Sequence, residues 1–238
     1  MEIVITLIGC LIAILLVYYA FEINIKRIKE LTKNEKIKEL TDRFPDDEQI
    51  CKEMLNMLNN NKVKIKQSEN EKDKTSVYIA ITDTIIIGNI KGVHTRIQTI
   101  AHECLHSVQS RRLLVFNFIF TNIYNIYFIL SIVFTIFKIF NNTNLQIVIL
   151  LFMGIIFYIV RAYLENDAMI KAKYLAEKYM DEYIKENKIC NISEIEKVIN
   201  NYEEINKVGI PAYNFILLLK PMIKIIIYTV VVAIITAM

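Results

Sequence analysis

Residues 102–120 read HECLHSVQSRRLLVFNFIF, and two kinds of sequence meet within them. The first part carries two of the chain's three histidines, four positions apart, with a glutamate directly after the first. Past the two arginines the chain turns apolar, and residues 113–137 hold no charged side chain. A polar helix followed at once by so long an uncharged run predicts a membrane-embedded fold with a polar site close to one end of a span.

The rest of the chain repeats this contrast. It has 238 residues, 54% of them hydrophobic, and a mean hydropathy of +0.36, too apolar for an ordinary soluble domain. The apolar residues come in blocks. Residues 3–21 carry no charge, residues 145–160 form a further run, and residues 210–238 are interrupted by Lys220, Pro221 and Lys224. About 18 apolar residues suffice to cross the hydrocarbon core as a helix, and lipid leaves backbone groups no partner outside the helix itself. The first block is too long for a signal-peptide core and lacks a basic segment before it and a small-residue cleavage site after it, so a retained span is expected.

Charge placement sets the expected orientation. The basic stretch KRIKELTKNEKIKEL (residues 26–40) follows the first run, Arg111 and Arg112 abut the second, and Arg161, Lys171 and Lys173 follow the third. The loop between the second and third runs carries only Lys138. The excess of Lys and Arg on cytoplasmic loops then puts the N-terminus outside and both charged segments in the cytoplasm. A net charge of +3 gives no reason to expect a nucleic-acid partner. Cys10, Cys51, Cys104 and Cys190 show no CxxC spacing, and no disulfide framework is expected.

Between the first two runs lie about 90 residues, enough for a small domain. Amphipathic helical patterns cover residues 23–40 and 46–59, the second with Asp46 as N-cap after Pro45. VKI (63–65) and SVYIAITDTIIIGN (76–89) are β-branched, and the latter reads as one strand ending at Gly88. A helix from about Thr95 is expected to carry the histidines and run on into the second span. Beyond the third span, residues 161–188 read as one long helix and residues 193–207 as a shorter polar one, with Ser193 and Glu196 as a capping box.

The predicted fold is therefore mainly α with a small β element. It is a polytopic membrane protein with about four transmembrane helices and a zincin-like HExxH domain on the cytoplasmic side. The spans are residues 1–21, 113–140, 145–162 and 210–238. Residues 22–112 and 163–209 form the two parts of the polar domain.

His102-Glu103-Cys104-Leu105-His106 is an HExxH pattern. On a helix, positions i and i+4 share a face, so both imidazoles can reach one metal. A zinc ion lowers the pKa of water bound to it, and a glutamate beside the first ligand can take up the released proton. A catalytic zinc needs a third protein ligand. His94 stands in a short loop and reads as a solvated histidine. Glu165 is better suited, because the apolar stripe of Ala168, Ala172, Ala176 and Tyr179 extends back one turn onto it. A carboxylate on a buried face needs a partner; pairing with Arg161, four residues earlier, is the other reading. Gln109 shares the histidine face and either supports a ligand or makes an ordinary polar contact; Asp167 lies two residues past Glu165 on another face and either supports the ligands or fixes the helix. The two apolar runs between His106 and Glu165 return the chain to the side it left, so both residues lie on one side.

The order of these features resembles the membrane-bound neutral zinc metallopeptidases of the YugP type. An N-terminal span, a small domain ending in a strand, AHECLHSVQ (101–109), two spans, LENDA (164–168) and a last span follow the same sequence. The family shows AHE-x-GH-x-x-Q and later E-x-DA, and it usually has glycine where this chain has Leu105. The resemblance implies His102, His106 and Glu165 as ligands of Zn2+ and Glu103 as catalytic base.

The reaction expected is peptide-bond hydrolysis. His106 lies seven residues before Leu113 and Glu165 within about two turns of the third run's end, which predicts a site near the cytoplasmic membrane surface and protein or peptide substrates that are membrane-associated. An oxyanion donor is not evident; Tyr78, Tyr163 and His94 are the possibilities. The strand before the motif is either structural or an edge on which an extended substrate pairs. The alternative function is a non-catalytic, zinc-stabilised membrane scaffold or binding protein, which would have no use for Glu103. A transporter is disfavoured, because Lys220 and Lys224 are the only charges within the apolar runs 3–21, 113–137, 145–160 and 210–238, and both can snorkel.

Overall fold

A computed structural model describes the backbone of residues 2–31, 33–70, 72–140 and 142–237, and the side chains of these except residues 2–7, 10 and 237. In chain order the elements are α1 (Glu2–Ala20), α2 (Ile25–Leu31), α3 (Glu35–Thr41), α4 (Asp47–Met57), β1 (Lys64–Gln67), β2 (Val77–Ile79), β3 (Thr84–Ile87), α5 (Arg96–Val108), α6 (Arg111–Ile136), α7 (Thr143–Asn187) and α8 (Ile192–Ala237). They divide into two compact units, one of Met1–Ile23, Phe116–Tyr163 and Pro211–Met238, the other of Asn24–Val115 and Leu164–Ile210.

The second unit is built on a three-stranded sheet of order β1-β3-β2, with β1 parallel and β2 antiparallel to β3. The stretch expected to be one strand is two. The chain reverses after Ile79, and Asp83 takes a positive φ of 51° at the turn, a conformation Asp tolerates better than most residues. Ile85 and Ile87 of the central strand are fully buried. Gly88 ends that strand where no side chain fits: a Cβ there would lie 2.7 Å from the Thr75 carbonyl oxygen.

Helices cover this sheet with periodic apolar faces. In α4 the Asp46 side chain accepts from the Gln49 N–H at 2.8 Å, a capping bond that satisfies an N–H the helix cannot. Ile50, Cys51, Met54 and Leu55 follow as its buried stripe. The pattern over residues 23–40 proves to be two short helices, α2 and α3, the second started by Asn34, whose side chain accepts from the Ile37 N–H.

Three corrections concern the long helices. The histidine helix does not run into the next one: Gln109 leaves α5 with an extended ψ of 166°, and the Ser110 carbonyl starts α6 by accepting from Leu113 and Leu114. The polar helix at 193–207 and the last apolar run are one helix, α8, which continues through Pro211 and Pro221. Each proline removes only one N–H, and packing on neighbouring helices compensates that loss in an apolar setting. The capping box of α8 is Asn191 with Glu194, each bonding the other's backbone N–H or side chain at 2.9–3.0 Å. Ser193 stands inside the first turn instead.

The first unit is helical. Tyr124, Leu150, Phe157 and Tyr228 form its core, and the Thr135 hydroxyl meets that of Tyr228 at 3.0 Å. Three helices among the described residues, α6, α7 and α8, are long and apolar enough to cross a membrane. Large apolar side chains such as Ile126 and Phe152 point outward from them, 58% and 63% exposed. Water penalises such a surface and hydrocarbon does not. The first expected span coincides with α1. Part of it lies outside the described side chains, and the apolar stretch Leu11–Ala20 is shorter than a span.

Candidate metal centre

Two helices of the second unit bring the histidines and Glu165 together. On α5, Ile97, Ile100, Ala101, Cys104 and Leu105 are buried in the hydrophobic core, which turns His102 and His106 to an adjoining face. On α7, Ala168, Ala172 and Ala176 are buried in the same core. Their small side chains let the helix approach closely, and one turn earlier Glu165 is 5% exposed.

The Nε2 atoms of His102 and His106 lie 3.0 Å apart. The Glu165 Oε2 is 3.4 Å from the first and 3.8 Å from the second. All three donor atoms fall within 4.8 Å of one another, so the cluster can hold a metal ion. The imidazole rings are nearly perpendicular, at 86°, so their lone pairs converge without the rings stacking.

Gln109 stands behind His106. Its Oε1 lies 2.8 Å from His106 Nδ1, while its Nε2 donates to the Leu164 carbonyl at 2.8 Å and to Asp167 Oδ2 at 2.9 Å. Two acceptors on one side fix the amide orientation, so its oxygen faces the ring. His106 Nδ1 must then carry the proton, and Nε2 presents its lone pair to the cluster. Asp167 also pairs with Lys171. Partial burial works against its ionisation, but the bonds from Lys171 and Gln109 outweigh it and hold the carboxyl below its ordinary value.

Glu103 is buried, and its Oε2 accepts the Tyr78 backbone N–H at 2.7 Å. Burial pushes its carboxyl above the usual range, against the opposing charges of the two histidines and the Tyr78 bond. Tyr78 belongs to the outer strand β2, so its N–H points away from β3 and towards α5. This contact is invisible in the sequence, because every non-proline residue has an N–H and only the register selects this one. The Tyr78 hydroxyl is taken by Asp83 at 2.8 Å, and burial and that carboxylate push the phenol up to about 12.

The remaining sequence expectations resolve as follows. His94 is not solvated: it is 7% exposed, its carbonyl accepts from the Tyr202 hydroxyl at 3.1 Å, and burial lowers its pKa. It is not part of the metal cluster. Tyr163 is 64% exposed. Leu105 packs into the hydrophobic core. The Cys51 and Cys104 sulfurs lie 3.6 Å apart as buried free thiols. Compared with known protein families, curated proteins and solved structures, the chain matches none.

Proposed function

We propose that the chain is an integral-membrane zinc metallopeptidase of the YugP type, with His102, His106 and Glu165 as zinc ligands and Glu103 as general base. The observation that carries this reading is the convergence of the HExxH histidines with a carboxylate 59 residues further along the chain. In a tetrahedral zinc site with bonds of ~2.0–2.1 Å, ligand atoms stand about 3.3 Å apart. The donor separations of 3.0, 3.4 and 3.8 Å fit that triangle. Two imidazoles and one carboxylate also form a donor set used by hydrolytic zinc sites, which leave a position open.

When bound, zinc supplies Lewis-acid polarisation of the scissile carbonyl and eases ionisation of water. Glu103 receives the proton of the attacking water and passes it to the leaving amine. The Tyr78 N–H holds one oxygen of Glu103 in place. Gln109 and Asp167 keep His106 in the tautomer that binds metal. The outer edge of β2 is the element on which an extended peptide would pair, although Tyr78 there has already given its N–H to Glu103.

The apolar helices support a membrane setting, and the basic segments flanking them favour a cytoplasmic site with the N-terminus outside. Membrane-associated proteins or peptides are then the substrate class. A zinc-stabilised scaffold is the second reading, because the Tyr78–Glu103 bond gives Glu103 a structural use without catalysis. Zinc content and peptide hydrolysis of the detergent-purified chain test both. The enzyme reading requires about one zinc per chain, lost or weakened in Glu165→Ala, and turnover abolished in Glu103→Gln with zinc retained. Zinc bound without turnover of any soluble or membrane-anchored peptide would leave the scaffold; no zinc in the wild type would refute both.

A further inference from the structure

The first unit contains a cationic cavity that the hydrolytic site does not use. Residues 116–163 and 211–238 hold four basic residues, Lys138, Arg161, Lys220 and Lys224, and no Asp or Glu. Three of the four line a single cavity of about 410 Å³, together with Thr121, Tyr124 and Asn125. Lys220 and Lys224 are one turn apart on α8, where like charges destabilise each other. Charges in such segments are expensive and mark binding or transport sites.

Lys224 is held but pairs with no carboxylate among the described residues. Its Nζ donates to the Asn125 side-chain oxygen and sits 4.2 Å from the Tyr124 ring centre and 5.3 Å from that of Phe128. Tyr124 is 1% exposed, and its hydroxyl has no hydrogen-bond partner among the described residues. The cavity thus offers cations and an amide, with apolar walls from Phe157, Ile223 and the Tyr124 ring. We infer that it binds the phosphate ester of an anionic lipid headgroup, with Lys220 and Lys224 as the principal contacts. This rests on the membrane reading of α6–α8 and is independent of peptidase activity. Apolar walls beside the charges favour a lipid over free phosphate, which has the same anionic chemistry. Basic pockets between membrane helices bind headgroups in this way.

The test is native mass spectrometry of the full-length chain in detergent, titrated with phosphatidylglycerol, phosphatidylcholine or inorganic phosphate. Recovery in membranes after alkaline carbonate extraction is scored first; a chain released there would defeat the membrane reading itself. Phosphatidylglycerol is expected to bind at least ten-fold tighter than phosphatidylcholine. Each lysine contributes about five-fold, so Lys220→Gln/Lys224→Gln weakens binding about twenty-fold or more. Lys138→Gln, outside the cavity, leaves it unchanged, and Lys224→Arg retains it. Should the double variant fail to fold, the exposed Lys220→Gln alone carries the five-fold expectation. Equal binding of the two lipids, or wild-type affinity in the lysine variants, overturns the proposal. Displacement of phosphatidylglycerol by low-millimolar phosphate would assign the cavity to a free anion instead of a lipid.

Discussion

The Gln109 side-chain oxygen lies 2.8 Å from His106 Nδ1, and this contact decides which ring nitrogen is free to bind a metal. Gln109 cannot turn round, because its amide nitrogen is committed to Leu164 and Asp167. Replacing Gln109 by Leu removes both the acceptor and the anchor. Zinc affinity is expected to fall about 10–100-fold, the usual cost of losing a partner behind a ligating histidine. Asp167→Asn keeps an acceptor for the amide and should fall less. Competition with a chelating dye measures both, and equal affinities in wild type and Gln109→Leu would remove Gln109 from the site.

Glu103 accepts the Tyr78 N–H and is the proposed general base, and two substitutions separate these roles. Glu103→Gln keeps an oxygen for the Tyr78 N–H, so stability and zinc should remain while hydrolysis is lost. Glu103→Ala leaves that N–H buried without a partner, at a cost of about 1–3 kcal/mol. Thermal unfolding of the two variants should therefore differ by several degrees, although hydrolysis is expected in neither. Equal melting temperatures would mean that the 2.7 Å bond contributes nothing to stability.

What could be read from sequence, and what could not, follows from the range of each interaction. The metal cluster rests on helical periodicity: His102 and His106 repeat at i and i+4, and the alanine stripe of α7 points back to Glu165. The apolar helices rest on run length, which needs no tertiary information. The features that escaped depend on a neighbour far along the chain. Gln109 breaks the helix where its side chain has partners 55 and 58 residues away. The reversal between β2 and β3 is carried by Asp83 without a glycine or proline to mark it. His94 stands in a loop, as its flanks suggest, yet Tyr202 of α8 covers it. Asn191 and Glu194 form the cap that Ser193 and Glu196 mimic two residues later.

Gly88 offers a test of the sheet that supports Tyr78. A methyl group there meets backbone, with Thr75 O at 2.7 Å and Thr75 N at 2.8 Å, and backbone cannot move aside as a flexible side chain can. Gly88→Ala is expected to destabilise by about 1–3 kcal/mol. Chemical denaturation measures the loss. If the strain is relieved by shifting β2, the Tyr78–Glu103 bond goes with it and hydrolysis falls while zinc stays. An unchanged midpoint would mean that residues 74–76 yield more readily than a close-packed backbone should.

Arg96 makes the strongest structural prediction. It is the first residue of α5, where a cation opposes the helix dipole, yet it is 1% exposed. Its Nε donates to Asp47 at 2.7 Å, and its two terminal nitrogens donate to the Thr41 carbonyl at 3.0 Å and to the Pro45 carbonyl. One side chain thus ties the end of α3 and the start of α4 to the helix that carries the histidines. Arg96→Met fills much of the volume but leaves Asp47 buried without its cation, and takes one hydrogen bond from each of two carbonyls, of which Thr41 keeps the Phe44 N–H at 3.2 Å. A loss of about 3–5 kcal/mol is expected from breaking such a pair on one side. Arg96→Met/Asp47→Asn removes the uncompensated charge and should recover part of it. His102 is six residues further on, so the fraction that still folds should bind zinc with near wild-type affinity. A loss below about 1 kcal/mol in the single variant, the range of exposed ion pairs, would contradict the buried network.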